Sequence, residues 1–219
     1  AEGGNAAYFV ADLGLETERN RVLSWVQSYP LFGLVNNAGF GFTGRFLDQP
    51  EARLLAMLNL NIVALTDLTF RLLPGLLERG NGFVMNIGSV AGFVGVPFFA
   101  AYAATKAFVN SLSEGLSVEL RGTGVHVIGI APGKTESEFF DVAGMRGSNF
   151  LRQNVMSAER AAQLSLNALD KRKTLVVLGF RNQLSIWAAE FCPRWVTRMT
   201  LSWLYAEYRQ KRPRDNSDA

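Results

Sequence analysis

Three short apolar runs constrain the fold of this chain more than any other feature. Each is closed by a turn of small residues, and the stretches between them are long enough for a helix. Leu31 to Val35 runs into Asn36-Asn37-Ala38-Gly39, Phe83-Val-Met-Asn-Ile87 into Gly88-Ser89, and Val125 to Ile130 into Ala131-Pro132-Gly133. Short runs that are apolar almost throughout read as strands covered on both faces, the habit of parallel sheets. Alternation of such strands with helices predicts an α/β chain with a doubly wound parallel sheet. Ligands of that architecture sit at the carboxyl ends of the strands, where the small-residue turns lie here. Thr174 to Leu178 reads as a last strand and Tyr8-Phe-Val-Ala11 as a first one.

The intervening segments carry helical spacing. Val22, Trp25, Val26 and Tyr29 place a helix over residues 17–29. Pro50 opens another, since proline is tolerated in a first turn, and it extends through Asn61 to Arg79 with an expected break near Pro74. A third covers residues 99–120 and stops at Gly122-Thr-Gly124, and a fourth covers 158–170. Residues 133–156, rich in Gly and Phe, read as a loop. The chain divides into a sheet domain, 1–180, and a helical extension with a polar tail, 181–219.

Bulk properties exclude several classes of function. With 48% apolar and 19% charged residues the chain is globular rather than disordered. Cys192 is the only cysteine, which rules out an intrachain disulfide and points to a reducing compartment, the cytoplasm. The lone histidine, His126, lies within a strand and reads as structural, and no cluster of His, Cys and carboxylates has metal-ligand spacing. The net charge of +3 gathers in Lys171-Arg172-Lys173 and around Arg209 to Arg214, without the interleaved aromatics of a nucleic-acid platform.

One pair of residues carries chemistry. Tyr102 and Lys106 are four apart, so a helix sets them on one face. Tyrosine is a poor acid/base at neutral pH, with an unperturbed pKa of about 10. An ammonium about 4 Å away at an effective dielectric of about 20 contributes roughly 4 kcal/mol, enough to lower that value by about three units. The spacing therefore predicts a tyrosine made competent for proton transfer by its lysine.

Together with Ser89, Asn61 and the Asn36-Asn37-Ala38-Gly39 turn, this pair resembles the active site of the short-chain dehydrogenase/reductase family, over about Tyr8 to Phe180. The resemblance is nearest to its 3-oxoacyl and hydroxysteroid reductases. It implies a Rossmann-like fold, a homo-oligomer, and hydride transfer between NADP or NAD and a ketone or secondary alcohol. Tyr102 would be the general acid/base. Lys106 would lower its pKa and hold the nicotinamide ribose, Ser89 would polarise the carbonyl, and Asn61 would position a water leading from Lys106 to solvent. Asp12 and Leu13 would meet the adenine, Asn36, Ala38 and Gly39 would line the adenosine side, and Pro132-Gly133 would approach the nicotinamide. Thr135 and Ser137 both stand where the family places a threonine on the cofactor; in the same family, Asn36 also ties neighbouring strands together.

The chain departs from the family at its front. The expected strand, Thr-Gly-x-x-x-Gly-x-Gly turn, helix and second strand do not precede Tyr8, which implies an N-terminally truncated stretch of a longer enzyme. That stretch would bind cofactor poorly, because the pyrophosphate cradle and the residue that selects NAD or NADP lie in the missing unit. NADP is favoured from the similarity to acyl and steroid reductases. Gly39-Phe-Gly41-Phe-Thr-Gly44 matches G-x-G-x-x-G but does not open a helix directly, so it is no substitute.

Two features speak to partners. Phe93, Val94, Val96, Pro97, Phe98 and Phe139-Phe140 would surround Ser89 and Tyr102, which suits a small hydrophobic carbonyl or alcohol. Within residues 183–208, Trp187, Phe191, Trp195, Met199 and Trp203 recur at near-helical spacing among arginines. Glu190, Pro193, Arg194 and Arg198 interrupt any spanning run, so one or two amphipathic helices are expected, set on a membrane surface or against protein.

Overall fold

In the computed structural model, which describes residues 6–145 and 155–205, four apolar runs pair into one parallel sheet in the order β1-β2-β3-β4. The strands are β1 (Gly33–Asn36), β2 (Gly82–Ile87), β3 (Val125–Ala131) and β4 (Leu175–Val177). Asn36 stands opposite Asn86, and Asn86 opposite Gly129, so the carboxyl ends of β1, β2 and β3 share one edge of the sheet. The three small-residue turns that close these strands emerge at that edge.

Both faces of the central strands are covered, which explains their apolar composition. On one face Val84, Val125 and Val127 pack with Leu76 of α3 (Leu65–Arg79) and with Leu116 of α4 (Ala100–Glu119). On the other, Met85, Ile128 and Ile130 pack with Ala168 of α6 (Ala158–Asp170). Side chains alternate sides along a strand, so neighbours in β3 serve opposite layers. Fully buried aliphatic groups such as Leu76, Val84 and Ile128 each contribute roughly 1.5–3 kcal/mol. The chain leaves α4 through Gly124, whose positive φ of 85° and contact with the Gly80 carbonyl admit no side chain.

The structure differs from the sequence reading in three places. Residues 133–156 read as a loop, but a short helix, α5 (Phe139–Val142), forms within them. Residues 8–11 form no strand: they pair with nothing among the described residues, and Tyr8 is exposed. An extended segment without a ladder partner is not a strand, and this one is held by Phe9 packing on Trp25 of α1 (Glu16–Val26). The long helix is interrupted at a π-helical turn, Asn59–Ala64, between α2 (Glu51–Leu58) and α3, not at Pro74. Pro74 stays inside α3 because the carbonyl it orphans belongs to exposed Phe70, where water can take the bond. The helix from Glu51 to Arg79 is long and apolar enough to cross a membrane by length and composition; here α3 lies against β1 and β2.

After β4 the chain forms α7 (Phe180–Phe191) and α8 (Arg194–Leu204), divided at Pro193; residues 206–208 of the segment read as amphipathic helix lie outside the described residues. Leu201 and Tyr205 join the cluster around Tyr102 and Phe42, so the pair closes one side of the site.

Candidate active site

Ser89, Tyr102 and Lys106 converge where β2 ends and α4 begins. Ser89 follows β2 in extended conformation and caps the next turn, its Oγ accepting from the Ala91 N–H at 3.1 Å. Tyr102 and Lys106 lie in the first two turns of α4, both buried. The Ser89 side chain lies beside the Tyr102 hydroxyl, close enough to favour its ionised form. Lys106 Nζ lies 5.8 Å from the centre of the Tyr102 ring and donates to the Ile87 carbonyl at 2.7 Å.

The electrostatics run against the simplest sequence expectation. Burial in an aromatic box raises the Tyr102 hydroxyl well above its ordinary pKa; the Ser89 side chain lowers it, but by less. Phe99 stacks on the phenol at 4.3 Å and Phe139 lies 5.2 Å away, so little water reaches it. Burial also moves Lys106 from 10.5 down to about 8. Desolvation, rather than attraction between the pair, thus sets both values. A neutral phenol is held ready to donate.

Asn61 sits behind this pair. Its Oδ1 accepts from the Phe40 N–H at 3.1 Å, and its Nδ2 donates to the Phe40 carbonyl at 2.9 Å and to Thr105 Oγ1 at 3.1 Å. The side chain therefore pins the loop after β1 onto α4. That loop runs close: a Cβ on Gly39 would lie 3.0 Å from Asn61 Oδ1, and one on Gly41 would lie 2.6 Å from Tyr102 Cδ2. The G-x-G-x-x-G lookalike is thus packed on the Tyr102 ring, and a short 3₁₀ turn, Phe46–Asp48, precedes the next helix.

A cavity of about 1200 Å³ opens over these groups. Gly39, Ser89, Tyr102, Lys106, Pro132, Gly133 and Thr135 line it, as does Ser137. Its apolar part is made by Val94, Val96, Phe99, Phe139, Phe140 and Leu201. Asp12, Leu13, Asn36 and Ala38 do not line it. Asp12 accepts from the Gly14 N–H at 2.9 Å, and the Leu13 carbonyl takes a bond from Arg19. Asn36 is committed to the sheet, donating to Asn86 Oδ1 at 2.8 Å and to Thr69 Oγ1 at 2.9 Å. Its strand-tying role is the one its side-chain contacts display.

Asn110 was not visible from sequence. One turn after Lys106 and buried, it donates from Nδ2 to the Ser89 carbonyl at 3.1 Å. Cβ atoms on Gly88 and Gly92 would meet it at 1.9 and 2.6 Å, so those two glycines form a notch that the asparagine fills. Only the spacing of Lys106 and Asn110 on one helix face hinted at this.

A serine–tyrosine hydroxyl pair above a buried lysine, at the carboxyl edge of a parallel sheet, matches one known family. Residues 1–145 fit the short chain dehydrogenase family. The chain belongs to the short chain dehydrogenase family. Over 135 residues it is 35% identical to the ketoacyl reductase HetN of Nostoc sp., a match covering 61% of this chain and 47% of that one. It is 34% identical over 135 residues to the very-long-chain 3-oxoacyl-CoA reductase of Anas platyrhynchos, covering 59% and 43% respectively. The chain thus spans about half the length of the curated relatives it matches. A short-chain dehydrogenase from Sphingobium yanoikuyae in complex with NADPH superposes with a TM-score of 0.73 at 29% identity, covering 94% of this chain and 77% of that one. Members of this short-chain dehydrogenase family are oxidoreductases, and the α/β architecture here is theirs.

Proposed function

We propose that this short-chain dehydrogenase reduces an apolar ketone to the secondary alcohol, or runs the reverse reaction, using NADP in preference to NAD. The observation that carries this reading is the Ser89–Tyr102 hydroxyl pair at the floor of an apolar cavity, with the Lys106 ammonium beside it. The donor set suits a nicotinamide ribose: Lys106 has three N–H donors and spends one on Ile87, leaving two for a diol alongside the Tyr102 hydroxyl. Gly39, Pro132, Gly133 and Thr135 would hold the nicotinamide end. Asp12, Leu13 and Ala38 would serve the adenosine end, and Asn36 would act by holding β1 on β2. The cofactor, when bound, supplies or accepts the hydride.

This chain's own groups handle the oxygen and its proton. The ketone oxygen accepts hydrogen bonds from Ser89 and Tyr102. As carbon gains the hydride, the oxygen becomes an alkoxide and takes the Tyr102 phenol proton, giving the alcohol and a phenolate. Lys106, held at about 8, releases a proton readily near neutral pH and can restore the phenol. Asn61 keeps the loop and α4 aligned beside Lys106 and, as in the family, would place the water that refills it.

The apolar lining favours an acyl or comparably bulky ketone, in keeping with the names of the ketoacyl and 3-oxoacyl reductases it resembles. Exposed Val63 and Phe70 on the long helix and Phe108 and Val118 on α4 suit a homo-oligomer, and a sole cysteine suits the cytoplasm. A non-catalytic scaffold is not favoured, since it has no use for an ammonium buried at a cost in stability. The test is NADPH oxidation by the full-length protein across 3-oxoacyl thioesters and simple ketones of rising chain length. Rates that climb with chain length support the reading, and no oxidation with any of them refutes it.

A further inference from the structure

The helix pair α7–α8 is apolar on two opposite faces, and the site accounts for only one. Residues two apart on a helix are separated by roughly 200°, so Thr197, Leu201 and Tyr205 face away from Trp195, Met199 and Trp203. The first three line the cavity. The second three, continued by Trp187 and Phe191 of α7 with their rings 4.9 Å apart, point outward and are 60–77% exposed. Exposed aromatics grouped in this way mark an interaction surface.

Charge identifies the partner. Arg194 and Arg198, exposed and one turn apart, stand about 100° round the helix from Trp195 and Met199, flanking the outward stripe on one side, and neither pairs with a carboxylate among the described residues. From Phe180 to Arg214 the sequence holds seven Lys or Arg against two Glu, whereas the whole chain holds 22 against 19 acidic residues. A symmetric contact between two copies would set this basic patch against the same basic patch, with Glu190 as the one opposing charge on the pair. A negatively charged bilayer surface instead takes tryptophan at the headgroup level and arginine at the phosphates.

We propose that the outward face of α7 and α8 docks on an anionic lipid surface and holds the mouth of the cavity against it. Leu204 and Val142 line the cavity and are themselves about half exposed, so an apolar rim sits beside the docking face. An apolar ketone could pass from lipid to the site without crossing water. The docking rests on the helix pair rather than on the reductase chemistry, and its readout is binding, so the two readings fail separately.

The experiment is flotation of the full-length protein with vesicles of mixed phosphatidylglycerol and phosphatidylcholine, and with phosphatidylcholine alone. Binding to the mixed vesicles is expected, weakened by about tenfold or more in high salt or without the anionic lipid. Trp195→Ser/Trp203→Ser should abolish it and Arg194→Glu/Arg198→Glu should remove the preference for anionic lipid, both with unchanged thermal unfolding. Brominated phosphatidylcholine in the mixed vesicles should quench wild-type tryptophan fluorescence, a readout that needs no variant. Absence of flotation, flotation without quenching, or persistence through both salt and alkaline carbonate would overturn the proposal. So would a tryptophan variant whose main effect is a smaller oligomer, which would assign the face to a second copy.

Discussion

Replacing Lys106 by methionine should stabilise the protein while silencing it. The ammonium is buried, and its pKa falls from 10.5 to about 8 because folding strips its water. That difference corresponds to roughly 3 kcal/mol of folding free energy lost whenever the lysine is charged in both states. Methionine removes this cost but leaves the Ile87 carbonyl without its donor, which costs about 1–2 kcal/mol. The variant should therefore be more stable by about 1–2 kcal/mol near neutral pH. The sign of the pH dependence follows from proton counts. Between about 8 and 10.5 the unfolded lysine binds more proton than the folded one, so wild-type stability rises with pH through that window relative to the variant. Below it the penalty is fully present. Tyr102 is common to both proteins, so its titration largely cancels. Urea unfolding at pH 6.5, 8 and 9.5 measures the gap: methionine ahead at 6.5, the difference shrinking or reversing by 9.5. A variant less stable than wild type at pH 6.5, or a gap indifferent to pH, would refute the desolvation argument.

Other outcomes follow from the same contacts. Gly41→Ala should cut kcat by about tenfold or more with little change in melting temperature, because the new methyl meets Tyr102 Cδ2 at 2.6 Å and a tilted phenol can no longer reach the substrate oxygen; steady-state kinetics beside a thermal melt would show it. Asn110→Ala frees the Ser89 backbone and should lower kcat more than it raises KM, with Asn110→Gln failing to rescue because the Gly88–Gly92 notch has no room. Asn36→Ala should destabilise by about 1–3 kcal/mol in chemical unfolding, since it strands Asn86 Oδ1 in the interior.

Sequence reasoning reached the parts of the molecule governed by local pattern. The strands before Gly88-Ser89 and Ala131-Pro132-Gly133, the helix carrying Tyr102 and Lys106, and the split at Pro193 all follow from apolar period and turn chemistry. What escaped depends on contacts distant in sequence. The break in the long helix falls at Asn61, where a side chain grips the Phe40 backbone, and no local rule could prefer that over a proline. Residues 8–11 have strand composition but no neighbour to pair with among the described residues. Asn110 gained its role from two glycines about twenty positions earlier. Helical spacing flagged the aromatic stripe of α7 and α8, but not that the opposite stripe, Thr197, Leu201 and Tyr205, would be the one facing the site. Lys106 was expected to govern Tyr102; the depth of burial that outweighs it is a tertiary property.

The claim on which the rest depends is that Tyr102 passes its proton to the substrate oxygen. Tyr102→Phe in the full-length enzyme tests it most directly, keeping the ring between Phe99 and Phe139 while removing only the hydroxyl. With NADPH and ketone both saturating, turnover should fall by about 10²–10⁴, the usual contribution of a positioned acid, while cofactor affinity stays within about a factor of two or three of wild type. Turnover within a few-fold of wild type would contradict the account and move the proton donor elsewhere in the cavity.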